Sequence, residues 1–252
     1  MTPTRTDDFL GGRLRLTQPT GGYRAGADAV MLGAACPALP GQSVLELGCG
    51  VGTALYCLGW RVPNLRLAGL ERSGTYADLA RQNAIQNGID ATIVTGDLSQ
   101  PPADIRAQTF DHVIANPPYF GTGTPSGDHL RADARHEDTP LAAWINCALR
   151  RLAPMGMLTL IHQAARLPDI LAQLQGRAGG VTVLPITARV GRDAGRVIVT
   201  ARKGARAPMR LLFPFILHAN AAHQRDAEDL TPAAQAVLRQ GVAVWAAHKE
   251  NM

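Results

Sequence analysis

No stretch of the 252-residue chain approaches the roughly 18 uncharged apolar residues that a membrane helix needs. The first eight residues carry Arg5, Asp7 and Asp8 with no apolar run behind them, so no secretory leader is expected there. Cysteine is scarce. Cys36, Cys49, Cys57 and Cys147 lie far apart without a Cys-x-x-Cys pair, which excludes a disulfide-held miniature and favours reduced thiols. No His/Cys/Asp cluster has metal-ligand spacing, so no metal is expected. The compositional bias of a collagen or a disordered chain is also missing: 26 glycines and 17 prolines are ordinary, and 46% of residues are hydrophobic. The expectation is a compact cytoplasmic protein that touches no membrane and buries one large core.

Apolar runs of strand length alternate with helix-like segments. Ser43–Gly48, Leu65–Glu71, Ala91–Asp97 and Phe110–Ala115 read as strands, with helices over Thr53–Trp60 and Tyr76–Asn87 between them. Beyond the Pro117-Pro118 break follow a helix around Pro140–Leu152, a strand Leu158–His162 and a helix Leu167–Gln175. The runs Val181–Ile186, Val197–Ala201 and Leu211–Leu217 complete the pattern. It predicts one doubly wound α/β domain over 43–252, after an N-terminal extension of 1–42 with a helix near Asp28–Ala35.

The first strand ends in Glu46-Leu47-Gly48-Cys49-Gly50-Val51-Gly52, and the pattern turns helical at once. Glycine there allows a tight turn and the close approach of a ligand. A dinucleotide fold wants its third glycine at position 53, where this chain has Thr53. The spacing G-x-G-x-G with an acid two residues ahead fits S-adenosylmethionine instead. Glu71 closes the second strand, where a carboxylate can accept both ribose hydroxyls, and Asp97 closes the third at a height suited to the adenine amine. Each acid alone is more often a helix cap or a solvated loop residue, but three fall in register.

Strand four runs into Asn116-Pro117-Pro118-Tyr119. Two prolines force the chain out of the sheet as a stiff corner. The corner offers the Asn116 amide oxygen and the Pro117 carbonyl as acceptors for one NH₂ group, with Tyr119 as a stacking surface for a planar substrate. Residues 189–210 hold seven basic groups against Asp193 alone, so the net charge of +5 is concentrated there and the rest is close to neutral. That run reads as a solvated surface or as a nucleic-acid contact, with Arg202, Lys203 and Arg206 as candidate RNA-binding residues. Gly121–Gly127 reads as a lid or a plain loop; Arg131, Arg135 and His136 follow as candidate phosphate grips, and His112 reads as structural.

The order Glu46–Gly52, Glu71, Asp97 and Asn116–Tyr119 resembles a class I S-adenosylmethionine-dependent methyltransferase of the amino-methylating kind. The upstream stretch Tyr23–Gly33 is similar to the N-terminal element of the bacterial valine-tRNA adenine-N6 methyltransferase family. The resemblance implies a Rossmann-like, mostly parallel seven-stranded sheet and catalysis at Asn116, Pro117, Pro118 and Tyr119. It implies S-adenosylmethionine at Glu46, Gly48, Gly50, Gly52, Glu71, Asp97 and Asn116, with Asp28 near the methionine end of the cofactor, although Asp28 reads equally as a helix N-cap. The substrate it implies is an adenosine in RNA, in a tRNA anticodon loop. Ala27 stands where relatives carry Thr, and Phe120 where some carry a second Tyr. Rival readings are a protein-glutamine methyltransferase, a noncatalytic RNA-binding relic and a DNA adenine methyltransferase.

Overall fold

The computed structural model describes residues 3–22, 24–119, 139–220 and 229–249. The chain opens with a hairpin of β1 (Thr4–Phe9) and β2 (Leu14–Pro19), then α1 (Ala27–Ala35). The alternating part contains β3 (Ser43–Leu47), α2 (Thr53–Arg61), β4 (Arg66–Glu71), α3 (Gly74–Gln86) and β5 (Ala91–Thr95). A short α4 (Ala103–Arg106) leads to β6 (Phe110–Ala115). The second part holds α5 (Leu141–Arg151), β7 (Leu152–Gln163), α6 (Leu167–Leu174), β8 (Ala178–Thr187) and β9 (Ala194–Lys203). Two-residue strands β10 (Arg210–Leu211) and β11 (Phe215–Ile216) precede α7 (Pro232–Gln240) and α8 (Val244–Lys249).

The main sheet has the order β10-β8-β9-β7-β6-β3-β4-β5, and β11 also pairs with β8. Seven strands were expected and the main sheet has nine among the described residues, because the last apolar run breaks into two short pieces that share one edge of β8. All pairings are parallel except those of β9, which runs antiparallel to β7 and β8. β3 lies between β4 and β6 and is buried on both faces, which explains its mostly apolar character and makes the buried Glu46 within it exceptional. Alternate residues feed two cores. Val44, Ile114 and Ile161 face α1, α2, α7 and α8, while Leu45, Val113 and Leu160 face α5 and α6.

The N-terminal hairpin is not legible in the sequence pattern, and its mode of attachment explains why. Asn83 of α3 accepts from the Thr17 N–H at 2.8 Å and donates to the Thr17 carbonyl at 3.1 Å; one turn on, Asn87 does the same for Arg15. Two side-chain amides thus stand in for a neighbouring strand along β2. Leu14 and Leu16 enter the same core as α1 and α2, so the extension 1–42 and the sheet share one interior.

Candidate active site

The parallel strands β3, β4, β5 and β6 bring their carboxyl ends to one rim, where ligands of open α/β sheets bind. There the glycine turn, Glu71, Asp97 and Asn116 surround a cavity of about 220 Å³ that Trp144 of α5 also lines. A smaller cavity of about 30 Å³ adjoins it, sharing Gly48, Tyr76 and Asn116 and reaching Glu46, Thr53 and Gln18.

Gly48, Gly50 and Gly52 all have positive φ, at 63°, 55° and 90°. Gly52 shows most plainly why a side chain is excluded: a Cβ there would lie 2.1 Å from the Tyr56 ring, which is fixed by its hydroxyl bond to the Ala80 carbonyl. Gly52 therefore serves α2 as its N-cap and does not line the cavity, whereas a Cβ on Gly50 would meet nothing within 4 Å. Gly48 is closed off by Trp144, 2.5 Å from an added Cβ. Trp144 lies on the buried stripe of α5 with Leu141, Ile145 and Ala148, and nothing local in the sequence marks it as a cavity wall.

The three acids have different environments. Glu71 accepts from the Gly50 N–H through Oε2 and from the Ser73 N–H through Oε1, each at 2.8 Å, so its orientation is fixed from both sides. Asp97 accepts from the Ser99 N–H at 2.7 Å; that bond, helped by Arg72 at 3.7 Å, holds its carboxyl below the ordinary range. Glu46 is buried and accepts from the Leu55 N–H at 3.0 Å in the first turn of α2. Burial pushes its pKa well up, and the negative charge of Glu71 adds to this.

These residues fit S-adenosylmethionine. The hydroxyl of Thr53 and the indole N–H of Trp144 are buried on the cavity walls with no hydrogen-bond partner among the described residues, which suits a polar ligand. Glu71 and Asp97 would hold its ribose and adenine, and the recess beside Glu46 its methionine end.

Asp28 is placed differently from the expectation. Its carboxylate lines neither cavity; Oδ2 accepts from the Tyr119 hydroxyl at 2.8 Å and from Arg196 Nε at 3.1 Å. Nor does it cap α1, whose N-cap is Gly26. Ala25 and Ala29, on either side of it, line the smaller cavity instead. Within the corner Pro117 is buried, Pro118 is exposed, and Asn116 and Pro118 line the larger cavity.

The arginine-rich run is split end from end. Because β9 is antiparallel, Arg196 pairs with Gln163 at the catalytic rim, while Arg202 pairs with Met157 six residues on, about 20 Å away at about 3.3 Å per residue. Arg202 donates to the Met155 carbonyl and Lys203 to the Leu152 carbonyl; Arg206 is exposed beyond them. As candidate RNA-binding residues these three therefore face the end of the sheet opposite the corner, because of the direction in which the strand runs. Arg135, Arg131, His136, Phe120 and the Gly121–Gly127 segment lie outside the described residues. His112 is structural as expected, buried and bonded to Gln42 at 2.9 Å.

The model of the methyltransferase small domain family matches residues 28–182. The chain belongs to that family. Among curated relatives, a tRNA1(Val) (adenine(37)-N6)-methyltransferase of Porphyromonas gingivalis is 35% identical over 174 residues, 66% of this chain and 68% of the relative. One of the same description from Shewanella baltica is 31% identical over 185 residues, 70% of this chain and 76% of its own. Among solved structures, a predicted O-methyltransferase of Agrobacterium tumefaciens is 26% identical, with TM-score 0.69, covering 86% of this chain and 97% of its own. A class I S-adenosylmethionine-dependent methyltransferase of Listeria monocytogenes shares the fold at 18% identity and TM-score 0.51, over 73% and 61% of the two chains.

In this methyltransferase the corner is flanked by a histidine that no local motif singles out. His162, at the end of β7, is 1% exposed and meets the Tyr119 ring edgewise, with centroids 5.1 Å apart. Its Nδ1 accepts from the Gln163 N–H, which leaves the proton on Nε2. Burial, then the charges of Arg166 and Arg196, lower its pKa to about 4 from 6.5. The unfolded chain takes up a proton in that interval and the folded chain does not, so stability should fall as pH drops from 6.5 towards 4, by up to about 3 kcal/mol. Melting temperatures of the wild type and His162→Asn across this range check it: the wild-type curve should fall more steeply, and parallel curves would count against the assignment.

Proposed function

We propose that this methyltransferase acts on the N6 amine of an adenine in RNA, an adenosine of a tRNA anticodon loop. The observation that carries the reading is the corner itself: Asn116 follows β6 at the catalytic rim and lines both cavities, with Tyr119 three residues on. The names of the relatives support the acceptor.

An exocyclic amine is a weak nucleophile because its lone pair is delocalised into the ring. The Asn116 side-chain oxygen and the Pro117 carbonyl accept its two protons, turn the lone pair out of the ring plane and stabilise the positive charge that develops on nitrogen. Tyr119 supplies a stacking surface, contributing about 1–3 kcal/mol. When bound, S-adenosylmethionine supplies an electrophilic methyl group on a sulfonium. Glu71, Asp97 and the glycine turn set its distance from Asn116. The target base must leave its stack to reach the corner, which costs least in a single-stranded loop.

Incubation with labelled cofactor and total tRNA, followed by nucleoside mass spectrometry, tests this. Labelled N6-methyladenosine is expected; label in protein alone would favour the glutamine rival. A second measurement follows from the strand direction: replacing Arg202, Lys203 and Arg206 together by Ala should leave methylation of a short anticodon stem-loop within about two-fold, because these residues lie at the opposite end of the sheet. A loss of ten-fold or more would return them to the RNA interface.

A further inference from the structure

Three side chains from distant parts of the chain close on one another beside the cofactor cavity. Asp28 comes from α1, Tyr119 from the corner after β6, and Arg196 from β9. One carboxylate oxygen of Asp28 accepts from both partners, and the Arg196 guanidinium carbon sits 4.4 Å from the centre of the Tyr119 ring. Asp28 and Arg196 are each about one-third exposed, an environment in which an ion pair adds little to stability. Their value has to be sought elsewhere.

A tyrosine on a loop after two prolines keeps two free side-chain torsions. The bond to Asp28 fixes the far end of this one, and the guanidinium stacked on one face fixes its rotation. Asp28 also cancels the charge of Arg196 close to a site that takes a cationic sulfonium. We propose that Asp28 and Arg196 are positioning residues: they hold the Tyr119 ring in one orientation, so that the acceptor base stacks with its amine at Asn116. The inference rests on the acceptor reading above and assigns Asp28 to the acceptor side of the site.

The test compares Asp28→Asn, Arg196→Ala, Arg196→Lys, Tyr119→Phe and the double variant Asp28→Asn/Tyr119→Phe on an anticodon stem-loop RNA. Cofactor affinity is measured by calorimetry and folding by melting temperature. Asp28→Asn and Arg196→Ala should each lower kcat by about 10- to 100-fold, as misplacement of a reacting group by an ångström does, with cofactor Kd within about two-fold and melting nearly unchanged. Arg196→Lys should stay low, because an ammonium keeps the charge without the flat stacking surface. Asp28→Asn should cost less in the Tyr119→Phe background than alone, since the hydroxyl bond is already gone.

Parallel weakening of cofactor binding would put Asp28 back at the cofactor and overturn the proposal. So would an unchanged kcat, or a rise only in KM for RNA, which would make Arg196 an RNA contact. If the wild type labels protein and not RNA, the acceptor reading fails, and the same variants assayed on that protein still decide whether Tyr119 is held in this way.

Discussion

Asn116→Ala should slow methyl transfer by about 100- to 1,000-fold, the usual loss when one preorganised polar group is removed from a reacting centre. Cofactor affinity should stay within about two-fold, because Glu71 and Asp97 hold their carboxylates through backbone N–H groups that the substitution does not touch. Single-turnover rates at saturating RNA, with calorimetric titration of the cofactor, separate the two quantities. A variant that turns over at the wild-type rate would remove the corner from the chemistry. A variant that loses cofactor in step with rate would make Asn116 a wall of the cavity and nothing more. Alanine is the useful choice here: Asp would keep an acceptor oxygen and add a charge beside the sulfonium, which confounds orientation with attraction.

Gly52→Ala should be the most damaging single methyl group in the turn. Its Cβ would fall 2.1 Å from the ring of Tyr56, a fully buried side chain, and its φ of 90° is a conformation that L-residues avoid. Left-handed strain of about 1–2 kcal/mol and overpacking of about 1–3 kcal/mol together suggest a loss near 3 kcal/mol, or a melting temperature lower by about 6–12 °C. Gly50→Ala separates packing from ligand approach. Its Cβ meets no neighbour within 4 Å, so only the strain remains, but the methyl group opens onto the cavity. It should melt within about 3–6 °C of the wild type and still bind cofactor at least ten-fold more weakly. If Gly52→Ala melted like the wild type, the rigid packing of Tyr56 under the turn would be refuted.

Where a segment's surroundings impose a simple pattern, the chain could be read. β6 has the bounds that its apolar run predicts, and β3, β4 and β5 differ only at their ends: the central strands β3 and β6 are apolar because they are covered on both faces, and the edge strand β5 is legible from its β-branched residues. β7 starts six residues earlier than its apolar run suggests, across Pro154, Gly156 and a Met155 with φ of 62°, a stretch that is strand by pairing and not by composition. The hairpin was hidden because β1 is charged and β2 finds its partners in two asparagine amides. The acids and the Asn116 corner were legible, since each sits in a local motif. Trp144, His162 and Arg196 were not: each belongs to the site only through what it meets in three dimensions, and no local pattern states whether β9 runs up or down.

The bond between Asp28 and Arg196 spans 168 positions of the chain. The residues named for the cofactor run from Glu46 to Asn116, with Trp144 closing the cavity, yet Arg196 comes about fifty residues after Trp144, a delay of roughly 3–10 s at about 5–20 residues per second. A nascent chain can therefore have all of its cofactor side in place well before the Tyr119 ring is secured. Competence for transfer arrives only once Arg196 has been synthesised, and a truncated product that still binds cofactor would be an inactive competitor for it.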